Sequence, residues 1–341
     1  MPQVNCIIRV DASHAIGNGH LVRCLIVAKY LKNKSWKIDF VTAEQQSKQI
    51  IEQSGFSCKK IEHNDTVPAD LISKSRKNII ISDINTPAIY SSQKTYKDYI
   101  SRIHKQADLL ATFEDMIDMP YPADVVIIPY CGAERLEIDR ADGLIKYLLG
   151  PRYFPLKEDY KNKEKIISKS VKNIAIIMGG SDPEKITLKV LEALNKIKVD
   201  VFITVLIGGL SEITDQDITD CSGNIIKNIV IKRDVSNISN IFCESDLAFT
   251  NSGLTKYELS AAGVPMIILS NTDQQSKYSD IFASVSGSIH LGYHVIVSNT
   301  DIANAYKYIC NNYNKRKRMS AKGLTLIDGK GVGLIYKELE S

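Results

Sequence analysis

Short apolar runs of strand length alternate along this chain with longer segments whose apolar positions recur at helical spacing. That alternation is the signature of β-α-β units and a parallel sheet. In the first half, residues 4–10, 38–42, 57–61, 78–82, 109–113 and 125–128 read as strands. Helices belong between most of them. The clearest runs over residues 20–31, where Leu21, Cys24, Leu25, Ala28 and Leu31 fall on one face. A second series at 174–178, 201–206, 229–231, 247–249 and 266–269 repeats the pattern. Between the two lie Gly150-Pro151-Arg152-Tyr153-Phe154-Pro155 and the polar stretch 157–165, which have the composition of a linker. The expected architecture is α/β: two doubly wound, Rossmann-like domains, 1–155 and 156–341, facing a central cleft. In such sheets ligands sit at the carboxyl ends of the strands.

Composition agrees with two ordinary globular cores. At 341 residues the chain exceeds one hydrophobic core, and 44% hydrophobic with 24% charged residues excludes a disordered or fibrous protein. The formal net charge of +4 is small, and the basic residues are dispersed except in Lys315-Arg316-Lys317-Arg318. We read that cluster as a solvated surface and expect no nucleic-acid partner. The seven cysteines contain no Cys-x-x-Cys pair and read as reduced core residues. No signal-type apolar segment opens the sequence, and no run of about 18 apolar residues offers a membrane span. A cytoplasmic protein is expected. The six histidines form no His-x-x-x-His pair, and Glu114-Asp115 has no partners nearby in sequence, so neither a metal nor a cofactor is expected.

Three loops that follow strands carry candidate chemistry. The first is Asp11-Ala12-Ser13-His14-Ala15-Ile16-Gly17-Asn18-Gly19-His20, where two glycines permit a close approach of backbone to ligand and His20 begins a helix. A histidine that merely caps or packs is the alternative. The second, Met178-Gly179-Gly180-Ser181-Asp182-Pro183, repeats the logic, with Pro183 suited to a first helical turn; it also reads as a plain structural turn. The third is Thr250-Asn251-Ser252-Gly253-Leu254-Thr255-Lys256-Tyr257-Glu258, a cluster of small hydrogen-bonding residues suited to a diphosphate. Glu258 suits ribose hydroxyls, or closes a Thr255-x-x-Glu258 capping box.

At these loops the chain resembles a known family. The run Arg9-x-Asp11-x-Ser13-x-x-Ile16-Gly17-x-Gly19-His20-x-x-Arg23-Cys24-Leu25 is similar to the N-terminal signature of the UDP-2,4-diacetamido-2,4,6-trideoxy-β-L-altropyranose hydrolases of pseudaminic acid biosynthesis. Those enzymes have the glycosyltransferase-B fold. Further matches are Leu148-Leu149-Gly150-Pro151-Arg152-Tyr153, Gly179-Gly180-Ser181-Asp182-Pro183, Tyr257-Glu258-Leu259 with Gly263-x-Pro265-Met266, and Asp328-Gly329-Lys330-Gly331. The resemblance implies that His20 is catalytic, with Asp11, Gly17, Gly19, Arg23 and Asp83 lining the substrate site of the first domain. In the second it implies Gly180 and Ser181, Arg233 beside the uracil, and Asn251, Ser252, Gly253, Thr255 and Glu258 on the nucleotide. Gln274 and Gln275 complete the implied set. Asp83-Ile84-Asn85, Phe113-Glu114-Asp115 and Asp273-Gln274-Gln275 depart from the family pattern, all on the sugar side. The resemblance therefore speaks for the nucleotide and the bond cleaved more than for the sugar.

The implied reaction expels a nucleoside diphosphate, a stable anion, from an anomeric carbon. What it lacks is an activated nucleophile, and an imidazole can take a proton from water near neutral pH. The expected activity is hydrolysis of a UDP-linked sugar, with His20 as base and inversion at the anomeric carbon. A glycosyltransferase using an acceptor hydroxyl instead of water, and a non-catalytic nucleotide-sugar-binding module, remain open alternatives.

Overall fold

The structure, a computed structural model, describes residues 4–12, 19–84, 92–114, 122–136, 144–160, 165–235 and 237–341. It divides into two compact units, Met1–Leu156 with Lys330–Ser341, and Lys157–Gly329.

In the first unit the described strands are β1 (Val4–Val10), β2 (Lys37–Thr42), β3 (Ser57–Lys60), β4 (Lys77–Asp83), β5 (Leu109–Phe113), β6 (Val125–Ile128) and β7 (Lys146–Leu149). They form one parallel sheet in the order β3-β2-β1-β4-β5-β6-β7. Helices α1 (Gly19–Asn33), α2 (Gln45–Gln53) and α3 (Gln93–His104) belong to this unit. β1 is mostly apolar, Asn5 and Arg9 being its polar residues, because both its faces are covered. Cys6, Ile8 and Val10 pack with Leu21, Cys24, Val27, Ala28 and Leu31 of α1. Ile7 turns the other way, into a core with Tyr99, Ile100 and Ile103 of α3.

The second unit repeats the design with β8 (Asn173–Ile177), β9 (Phe202–Ile207), β10 (Ile229–Arg233), β11 (Leu247–Asn251), β12 (Met266–Ser270) and β13 (Ile289–Tyr293). Their parallel order is β10-β9-β8-β11-β12-β13. Its helices are α4 (Ile186–Lys196), α5 (Asp215–Ser222), α6 (Ser239–Glu244), α7 (Thr255–Ala261), α8 (Asp273–Ser286), α9 (Asn299–Cys310) and α10 (Tyr313–Leu326). The pattern of apolar runs anticipates eleven of these strands but not β7 or β13. Both are edge strands, and their half-exposed residues do not form the continuous apolar run of a strand covered on two sides.

Three expectations are corrected. The final helix, α11 (Gly331–Glu340), belongs to the first unit, not to a domain running from 156 to 341. Its Val332, Ile335 and Leu339 complete the core behind α1, and Tyr336 stacks against Tyr30 and Trp36. The basic cluster on α10 is not wholly solvated. Arg316 is fully buried and donates to the carbonyls of Ile309, Cys310, Ser168 and Lys169 at 2.7–2.9 Å, closing the end of α9. Pro183 precedes α4 rather than opening it; the helix starts at Ile186 with the Asp182 carboxylate accepting from the amides of Ile186 and Thr187, both at 2.9 Å. The cysteines are free, three of them buried and four half-buried.

Candidate functional site

Each sheet reverses its strand order once, between β1 and β4 in the first unit and between β8 and β11 in the second. The carboxyl ends of those strand pairs are where an open parallel sheet leaves room for a ligand. Of the residues singled out from the sequence, Asp11 and Asp83 stand at the ends of β1 and β4, with His20 and Arg23 reaching Asp83 from α1. Gly180, Asn251, Ser252 and Gly253 follow or end β8 and β11, whereas Arg233 ends the edge strand β10.

In the first unit Asp83, the last residue of β4, is 1% exposed and holds two partners from α1. Its Oδ1 lies 2.7 Å from His20 Nδ1, and Arg23 donates to both carboxylate oxygens at 2.5 Å. The i and i+3 spacing on α1 brings His20 and Arg23 to the same carboxylate. Burial alone would push the Asp83 carboxyl up, but the charges of Arg23 and His20 hold it well below the usual carboxylate range. Arg23 also donates to the Tyr130 hydroxyl and lies over the Phe113 ring at 5.0 Å. Nδ1 also lies 3.0 Å from Arg23 Nη2, but the ionised Asp83 oxygen is the nearer partner and favours a proton on Nδ1, which leaves Nε2 as the lone pair. The His20 side chain is 16% exposed.

Beside this pair, Asp11 follows β1 and is 2% exposed. Its Oδ1 accepts from Arg9, from the Thr42 hydroxyl and from the Ala43 amide, while Oδ2 is buried with no partner. Against the effect of burial, Arg9 keeps this carboxyl low. Gly19 is the first residue of α1. Gly17 and His14 lie outside the described residues, as do Asn85 and Asp115. Glu114, after β5, is buried and accepts from Tyr96 at 2.7 Å.

In the second unit, Asn251 joins the two loops at the switch point. Its Nδ2 donates to the Met178 carbonyl at 2.7 Å and its Oδ1 accepts from the Gly253 amide at 3.0 Å. Gly179 has φ +84°, and a Cβ there would stand 2.9 Å from Asn251 Nδ2, so glycine is required on both counts. Gly180 is exposed and Ser181 half-buried, ahead of the helix that Asp182 already caps. Ser252 and Thr255 are nearly buried. Lys256 is also buried, donating to the Ser252 carbonyl at 2.6 Å and lying over the rings of Tyr257 and Phe282.

Glu258 forms no capping box, because Leu254 rather than Thr255 is the N-cap of α7 and no side chain caps it. The carboxylate is half-buried, 3.5 Å from the Tyr160 hydroxyl. Burial pushes its carboxyl up to about 7, against the opposing effects of Lys157 and Tyr160. Arg233 ends β10 exposed and donates to Asp215 and to the Ile213 carbonyl. Gln274 and Gln275 are exposed in the first turn of α8.

Sequence reasoning missed the side chains that reach these places from distant segments: Tyr130, Tyr160, and Ser270 with His290 behind Ser252. None stands in a local motif. Among the described residues no group of three or more His, Cys, Asp or Glu side chains could hold a metal, and no helix is long and apolar enough to cross a membrane.

Two parallel-sheet, Rossmann-like units of this order define the glycosyltransferase-B class of fold. Solved structures of that class align over nearly the whole chain. They include Acinetobacter baumannii MurG (TM-score 0.64, 14% identity, 99% of each chain) and Phytolacca americana UGT2 complexed with UDP-2fluoro-glucose and pterostilbene (0.65, 12%, 100% of this chain and 99% of that one). A third is the S. aureus MnaA–UDP co-structure (0.64, 12%, 100% and 96%). No protein-family model matches. In sequence the chain is 27% identical over 318 residues to the uncharacterized protein MJ1062 of Methanocaldococcus jannaschii, covering 86% of this chain but 62% of that protein. It is 23% identical over 340 residues to the spore coat polysaccharide biosynthesis protein SpsG of Bacillus subtilis, covering 94% of each.

Proposed function

We infer that this chain is an enzyme of nucleotide-sugar metabolism that hydrolyses a UDP-linked amino or deoxy sugar to the free sugar and UDP. The observation that carries the chemistry is the His20–Asp83 pair: a carboxylate that stays ionised fixes the ring tautomer and leaves Nε2 as a base. In the proposed step Nε2 takes a proton from water while the water oxygen bonds to the anomeric carbon. The bond from that carbon to the phosphate oxygen breaks, and its electron pair leaves with UDP. A base of this kind is worth roughly 10²- to 10⁴-fold. The uridine diphosphate is assigned to the second unit, with Glu258 toward the ribose hydroxyls, Arg233 toward the uracil, and Asn251, Ser252, Gly253 and Thr255, with Gly180 and Ser181, toward the phosphates. Asp11, Gly17, Gly19, Gln274 and Gln275 are assigned to the sugar end, and Asp83 with Arg23 to positioning His20. Resemblance to SpsG, whose name places that protein in polysaccharide biosynthesis, supports the sugar-nucleotide class.

A second reading has an acceptor hydroxyl in place of water, and the fold shared with MurG and UGT2 favours it as much. Incubation of UDP-2,4-diacetamido-2,4,6-trideoxy-β-L-altropyranose with protein and no acceptor, followed by mass spectrometry, separates the two. Free sugar and UDP mean hydrolysis; intact substrate that turns over only when an acceptor sugar is added means transfer.

A further inference from the structure

Behind Ser252 runs a chain of hydrogen bonds that the proposed chemistry does not use. Ser252 Oγ lies 2.5 Å from Ser270 Oγ, which lies 2.8 Å from His290 Nε2, and His290 Nδ1 lies 2.7 Å from Asp280 Oδ1. Ser270 is fully buried, the His290 side chain is 2% exposed, and Asp280 is 73% exposed. The chain thus leads from solvent to Ser252.

Each hydroxyl has one proton to give, and this limits the chain to two states. Nδ1 faces a carboxylate and so carries hydrogen. If His290 is neutral, its Nε2 is an acceptor, Ser270 must donate to it, and Ser252 must donate to Ser270. The Ser252 oxygen then presents only lone pairs to any ligand. If His290 is protonated, Nε2 donates to Ser270, Ser270 donates to Ser252, and the Ser252 proton is released to point elsewhere. An anion beside Ser252 is repelled by the first state and receives a hydrogen bond in the second.

We propose that His290 is a positioning residue that sets the donor direction of Ser252, so that a diphosphate binds there with uptake of a proton at His290. This rests on the assignment of the diphosphate to the Asn251–Thr255 loop. Neither serine nor Asp280 needs to move; only two hydroxyl hydrogens rotate. Of the other charged groups on elements packed against β13, Asp273 and Lys277 of α8 pair with each other at 3.4 Å, Asp301 of α9 is held by Ser298, and Lys307 in the last turn of α9 is exposed. His294, just beyond the strand, faces Glu184 at 3.6 Å. Asp280 is therefore the charged partner that His290 meets directly.

The test is titration calorimetry with UDP in buffers of different ionisation heat, on wild type, Ser270→Ala and His290→Gln. Ser270→Ala cuts the chain and frees the Ser252 hydroxyl at every pH; His290→Gln keeps a hydrogen-bonding side chain that cannot take up a proton. Wild type is expected to take up more protons on binding than either variant, by as much as about one. The ratio of wild-type Kd to Ser270→Ala Kd should rise several-fold as pH rises and the ring loses its charge. Ionisation of Glu258 on binding acts in the opposite sense, but it is common to all three proteins and cancels in the comparison. Equal proton uptake in the three, or a ratio flat with pH, overturns the relay while leaving the nucleotide assignment standing. Failure of wild type to bind UDP at any pH overturns that assignment and the relay with it.

Discussion

Asp83 meets His20 Nδ1 at 2.7 Å from the end of β4 while the same carboxylate is clamped at 2.5 Å by Arg23. An ionised carboxylate held this firmly can accept a proton from the ring in a hydrogen bond but cannot readily take it away, so it orients the base without competing as one. Replacing Asp83 by Asn puts an amide where the carboxylate stood and removes the bias toward the Nδ1–H tautomer. Asp83→Asn is expected to lower kcat by at least about 10²-fold with UDP affinity within about tenfold. Because the change also leaves Arg23 buried without its counter-charge, thermal melting should fall in parallel, and steady-state kinetics below the melting range separate the two effects.

His20→Ala should reduce kcat by at least about 10²-fold while calorimetric UDP affinity changes less than about tenfold. The wild-type kcat should also fall on the acid side as the ring is protonated, and the residual activity of the variant should lack that limb. Turnover by His20→Ala close to the wild-type rate would remove the general base from the mechanism.

Glu258 gives a stability prediction whose sign is fixed. Its carboxyl is raised from 4.5 to about 7 by burial, so the folded state prefers the protonated form. The stability it contributes is intact below about pH 4.5 and is lost as pH rises through about 7, amounting to at most about 3 kcal/mol. Glu258→Gln, neutral throughout, should melt higher than wild type at pH 8 and level with it at pH 4.5. If the carboxylate receives ribose hydroxyls, the same substitution also weakens UDP by about 1–3 kcal/mol at pH 8. Stabilisation without loss of UDP affinity would leave Glu258 outside the nucleotide site.

Gly331→Ala tests the seating of α11. A Cβ there would stand 2.2 Å from the Phe154 carbonyl oxygen, and backbone cannot yield as a side-chain tip would. A destabilisation of about 1–3 kcal/mol is expected by thermal or denaturant unfolding, with faster amide exchange in α1, against which α11 packs. Unchanged stability would mean that α11 shifts freely.

Arg316→Met should cost about 3 kcal/mol or more, since four carbonyls lose their donor at once in a buried setting. Denaturant unfolding measures this. A variant as stable as wild type would show that water replaces the guanidinium.

How much of this was legible in the sequence follows from what burial does to residue choice. β1, β5 and β6 were readable to the residue because they are buried nearly throughout and therefore mostly apolar. β7 and β13, both partly exposed edge strands, were not, although the edge strands β3 and β10 were. Asp11, His20 and Asn251 could be singled out as candidates because the segments at the ends of β1 and β11 hold polar residues beside glycines, so chemistry stands out. The Thr255-x-x-Glu258 spacing suggested a cap that the helix does not use, since α7 begins one residue earlier than a capping box needs. Arg316 was misread because four basic residues in a row give no sign of which one turns inward. The chain from Ser252 to Asp280 was invisible for another reason: its members stand just after β11 and on β12, β13 and α8, and only the folded register makes them neighbours.

The return of α11 to the first unit gives the polypeptide a nested topology, in which Lys157–Gly329 is inserted into a unit that begins before it and ends after it. The inserted unit is contiguous in sequence. The outer unit is not, because Val332, Ile335 and Leu339 of its core are synthesised after the whole inserted unit. Until they emerge, the sheet that carries Asp83 waits with the apolar surface behind α1 uncovered. The order of synthesis therefore completes the half assigned to the nucleotide before the half assigned to catalysis.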